Sequence, residues 1–133
     1  MLFIYLLEGN PLFGPKVRRI LNQIVRRGDA LSTSVFSIGE ILTGPRKRGP
    51  VSGVDAVKKY LLSGAVEILP FNEVTADRYS VIRAAARVSQ ADGIQLASAA
   101  EVGTDIFFTN DAALRKLSIP GIKFFADLDG KLI

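Results

Sequence analysis

Short apolar runs alternate with helix-length segments along this chain, and that alternation limits its fold more than any other feature. Asp29–Thr33, Val66–Leu69, Asp105–Thr109 and Ile122–Phe125 each read as a brief strand, too short to be a helix. Between them lie segments with apolar residues at helical spacing. The clearest runs from about Pro15 to Arg27, where Val17, Ile20, Leu21, Ile24 and Val25 fall at i, i+3, i+4, i+7 and i+8. Pro15 suits its start and Gly28 its stop. Ser32, Thr33 and Ser34 offer caps for the next helix, which carries Val35, Ile38, Ile41 and Leu42 and is expected to end at Gly44-Pro45. The loop GPRKRGP follows.

Further helices are expected over Gly53–Leu62, from Asn72 or Thr75 to about Val88, over Ala91–Val102, and over Ala112–Lys116. Strands separated by helices cannot be hairpin neighbours. They pair in parallel through crossovers, with helices on both faces. The expected class is α/β, a three-layer α/β/α sandwich around a central parallel sheet. With 133 residues and 48% of them hydrophobic, the chain is sized for a single domain spanning 1–133 with a substantial core. Phe107, Phe108, Phe124 and Phe125 are expected in that core.

Composition removes several chemistries. The chain has no histidine and no cysteine, which excludes Ser-His-Asp and Cys-His triads, thiolate nucleophiles and the common zinc sites. Metal-binding side chains are confined to carboxylates, amides and hydroxyls, ligands for hard ions such as Mg²⁺ or Mn²⁺. Lack of cysteine also points away from an oxidising compartment, so a cytoplasmic protein is expected. No apolar run approaches the roughly 18–20 residues of a membrane span. The formal net charge is +4, which favours a polyanionic partner. The densest basic run is Arg46-Lys47-Arg48. It is a weak candidate for RNA phosphates, and a solvated loop is the commoner fate of such a run. No glycine-rich phosphate loop is present.

Three acids stand where a polar group needs explaining. Glu40 lies in SIGEIL, between the apolar residues of its helix. Asp92 opens ADGIQLASAA, a helix otherwise almost free of charge, and Asp111 follows the strand in FFTND. A carboxylate beyond the carboxyl end of a parallel strand is where ligands bind in open α/β sheets. Each has a plainer explanation as well: Asp92 and Asp111 as helix caps, Glu40 as a solvated helix residue.

Taken in order, S-x-x-E on a helix, A-D-x-I-x-L-A-S-A at a later helix and T-N-D after a strand make the chain resemble the PIN domain. The likeness is to its small stand-alone kind in particular, the VapC-type toxins of toxin–antitoxin pairs. FIYLLEGNP also resembles the family's first helix. The resemblance implies an endoribonuclease using Mg²⁺ or Mn²⁺, with Glu40, Asp92 and Asp111 as catalytic and metal-binding acids. Thr109, Asn110 and Ser37, or Ser34, would support them. It further implies an RNA substrate, a cognate antitoxin and a homodimer. One departure stands out: the family opens on a strand ending in Asp, and here Met1 falls where the first helix begins. The first strand and its ligand are therefore expected to be missing, either because Met1 is an internal methionine or because the domain has degenerated into a binding module for antitoxin or RNA.

Overall fold

The computed structural model describes residues 2–49 and 53–129. Met1 and Pro50, the last residue of GPRKRGP, lie outside them. The elements follow in the order α1 (Leu2–Leu7), α2 (Gly14–Arg27), β1 (Ser32–Ser34), α3 (Val35–Arg48), α4 (Val54–Leu61), β2 (Glu67–Leu69), α5 (Glu73–Ala85), α6 (Gln90–Val102), β3 (Thr104–Phe108), α7 (Ala112–Arg115) and β4 (Ile122–Ala126). The α/β class and the parallel pairing match the expectation.

The strands do not join into one sheet among the described residues. β1 pairs with β2, setting Ser32 against Glu67 and Ser34 against Leu69. Separately, β3 pairs with β4, setting Thr104 against Ile122 and Phe108 against Ala126. Helices unite the two pairs. One cluster packs Ile82 of α5, Leu96, Ala97 and Ala100 of α6, Leu114 and Ile122 with Phe107 and Phe125. A second gathers Val17, Ile20 and Ile24 of α2 with Leu128, Leu31 and Phe108. Phe107 and Phe108 thus enter different clusters, as the two-residue alternation of a strand requires, so β3 is covered on both faces. The third cluster sets Phe3, Ile41, Leu61 and Val66 around Ile38 and Ile68, covering the first pair.

Several expectations change. α3 does not stop at Gly44-Pro45 but continues to Arg48 with Pro45 inside it. Arg46, Lys47 and Arg48 are therefore the last helical turn and not a loop, and their charge complements the carbonyl end of the helix dipole. The start of α5 is decided by a capping box: Asn72 Oδ1 accepts from the Thr75 amide, and Thr75 Oγ1 from the Asn72 amide. That helix closes at Ala85, short of Val88. Val25 lies at the edge of the α2 stripe and is 79% exposed. Phe124, expected in the core, is 58% exposed. The alternation puts it on the Phe108 face, and the cluster around Phe108 does not include it. No helix of the described residues is long and apolar enough to cross a membrane.

Candidate functional site

Ser34 is both the last residue of β1 and the N-cap of α3. Its Oγ accepts from the Ser37 amide at 3.2 Å, which fixes the first turn of the helix at the carboxyl end of the strand. The two hydroxyls, both buried, lie 3.1 Å apart. Gln95 reaches them from α6. The Ser34 hydroxyl donates to Gln95 Oε1 at 2.8 Å, and Gln95 Nε2 donates to Ser37 Oγ at 2.7 Å. The same Nε2 stands 3.5 Å from Glu40 Oε1. Buried hydroxyls need such partners, because a hydroxyl left unpaired costs about 1–3 kcal/mol. The network also turns half-buried Glu40 toward α6, since Ser37 and Glu40 are three residues apart on one face of α3.

Asp92 lies three residues before Gln95 and so shares its helix face. It is not the cap of α6. Ser89 is, accepting from the Asp92 amide at 3.0 Å. Among the described residues the Asp92 carboxylate has no hydrogen-bond or ion-pair partner, though it is partly buried. Gly93 beside it admits α5 at close range: a Cβ there would stand 2.8 Å from the Tyr79 ring and 3.0 Å from Arg83 Cδ.

Asp111 is a cap. Its Oδ1 accepts from the Ala113 amide at 2.8 Å and the Leu114 amide at 3.4 Å. Thr109 holds the same turn, its hydroxyl accepting from the Asp111 amide at 3.1 Å and its carbonyl from Arg115 at 3.2 Å. Asn110 is exposed and its side chain has no hydrogen bond among the described residues. α6 passes into β3 through Gly103 alone, and Leu96 and Phe107 pack in one cluster. The helix therefore runs back along the strand, leaving its first turn level with the strand's carboxyl end. Asp92 and Asp111 occupy the same end of the molecule as a result.

The structure links Glu40 to the Asp92 face of α6 through Gln95, and places Asp111 on a separate turn. As donors, three carboxylates suit a hard divalent cation. Their placement does not: among the described residues no group of three acids stands close enough to hold a metal ion. Sequence reasoning missed Gln95. Its signal was present in the three-residue spacing from Asp92 within a helix of small apolar residues, but its partners lie 58 and 61 residues away.

No match was found among curated proteins, and none among solved structures. The PIN domain family model matches residues 2–120, nearly the whole chain. With its parallel α/β strands and acid-bearing segments in the order SIGE, ADGIQLASA and TND, the chain belongs to the PIN domain family, a nuclease-type fold.

Proposed function

We propose that the chain is an endoribonuclease of the VapC toxin type that hydrolyses phosphodiester bonds in RNA. Glu40, Asp92 and Asp111 are its acids, Thr109, Asn110 and Ser37 support them, and a cognate antitoxin and a second copy of the chain are its protein partners. The observation that carries the proposal is the Ser34–Ser37–Gln95–Glu40 network, in which three polar side chains orient one carboxylate toward the face of Asp92. Dependence on Mg²⁺ or Mn²⁺ belongs to the proposal as the family's chemistry, and such an ion would supply an activated water and stabilise charge on the phosphate.

The test is cleavage of a mixed RNA by the full chain with Mg²⁺ or Mn²⁺ and with chelator, beside Asp92→Asn. Cleavage that chelator stops and the variant lacks is the expected result. Cleavage that persists in Asp92→Asn removes that residue from the chemistry.

A second reading is favoured by the dispersal of the three acids. In it the domain keeps the fold and binds antitoxin or RNA without cutting. Folded protein that retains RNA or antitoxin binding and shows no cleavage with either metal would establish it.

A further inference from the structure

We infer that the outer face of α2, with the α1–α2 turn beside it, is the track along which this protein holds single-stranded RNA. The inference rests on the ribonuclease reading for the identity of the polyanion, and on the following geometry for its location.

α2 contains Lys16, Arg18, Arg19, Arg26 and Arg27 and no acid. At about 100° per residue, Arg18, Arg19, Asn22, Gln23 and Arg26 fall within an arc of roughly 140°, opposite buried Val17, Ile20 and Ile24. That arc forms one wall of a groove of about 630 Å³, whose other wall is Gly9, Asn10 and Pro11. The flanking cations are already engaged: Lys16 pairs with Asp129 at 2.8 Å and Arg27 with Asp29 at 2.7 Å. Those within the arc have no carboxylate partner among the described residues. Arg18 and Arg26 are exposed. Arg19 donates to the Leu128 carbonyl at 3.0 Å.

From Arg18 to Arg26 the helix rises about 12 Å. That spans three to four phosphates of a stacked strand at roughly 3.4 Å per nucleotide. Guanidiniums match phosphate oxygens by their paired donors, and Asn22 and Gln23 between them can hydrogen-bond base edges. One member of the stripe also connects to the Asp111 turn. Arg19 is held to Leu128, two residues beyond β4, whose Ala126 carbonyl accepts from Thr109, two residues before Asp111.

The experiment is fluorescence-anisotropy binding of a labelled oligouridylate to the full chain in chelator, so that cleavage does not intervene. It compares Arg18→Gln/Arg26→Gln with Lys58→Gln/Lys59→Gln, a control on exposed α4, after circular dichroism has shown both folded. The stripe variant is expected to bind on the order of tenfold more weakly. Its plot of log affinity against log salt should flatten by about 1.4, for two lost phosphate contacts on a single strand. The control should stay within about twofold. Equal losses in both variants would mean that net charge and not this face binds, and would overturn the inference. Unchanged binding in the stripe variant, or no binding by the parent, would also overturn it. In each case metal-dependent cleavage separately decides the nuclease reading. Displacement of the RNA by polyglutamate at equal charge would assign the face to an acidic protein instead, and would equally overturn the RNA track.

Discussion

Asp111 carries two assignments that substitution can separate. As a cap it satisfies two amides of α7, and that short helix places Leu114, 6% exposed, in the main core cluster. Asn accepts the same hydrogen bonds and ranks with Asp as a cap, so Asp111→Asn should leave stability unchanged to within a few tenths of a kcal/mol. Ala cannot accept them, and Asp111→Ala should cost about 1 kcal/mol. For a chain of this length that is roughly a 3–5 °C fall in melting temperature. As an acid of the proposed nuclease, the residue needs its charge, which both variants lack. Both should lose RNA cleavage by about 100-fold or more, equivalent to about 2.7 kcal/mol of barrier. Thermal melts by circular dichroism and cleavage at saturating Mg²⁺, run on the same preparations, read the two roles independently. An Asn variant that cuts at the parental rate reduces Asp111 to a cap. An Ala variant that melts with the parent removes the capping assignment.

Leu96 is fully buried against both α5 and the β3–β4 pair, so Leu96→Ala should cost about 3–4 kcal/mol in urea unfolding; a loss under 1 kcal/mol would mean that this core relaxes around the cavity. Gly121 has φ +99°, and a Cβ there would meet the Ala100 carbonyl oxygen at 2.4 Å. Gly121→Ala should therefore destabilise by about 3 kcal/mol or more, and a parental melting curve would contradict that close approach. Gln95→Leu strips partners from two buried hydroxyls and should cost about 1–3 kcal/mol. Ser37→Ala added to it, which leaves the Ser34 cap in place, should recover part of that loss, and a purely additive double penalty would show that the network does not act as a unit.

Local chemistry made part of this structure legible from sequence. α2 announced itself through an apolar stripe, an early proline and Gly28, whose φ of 72° ends the helix in the left-handed region. Thr109-Asn110-Asp111 was identifiable as a strand-to-helix turn for the same reason: a cap and its amides lie within three residues. What failed depended on distant partners. Pro45 looked like a stop, yet α3 carries it through with Pro45 itself buried. Phe124 had the same local pattern as Phe125, and only the reach of the α2 layer separates their fates. Gln95 looked like an incidental amide until α3 was folded against it. The division of the strands into two pairs leaves no trace in the spacing of apolar residues, since a strand reads alike whether one or both of its edges are paired.

That division bears on the order in which the chain assembles. Two strands alone are marginal, so each pair must wait for its helical cover. β3 and β4 are joined across residues 109–121, whereas β1 and β2 are joined across 35–66 with two helices between. Loop closure alone favours the shorter connection by about 0.8 kcal/mol. The carboxyl-terminal pair also finds α6 immediately before it in the chain, joined through a single glycine. Short sequence separation therefore predicts α6–β3–α7–β4 as the nucleus and the amino-terminal pair as the late arrival, with φ-values near zero at Ile41 and well above it at Leu96 as the expected outcome. The Glu40 network spans that seam, with Gln95 on the early half and both serines on the late one. On that order it closes only once both halves are in place.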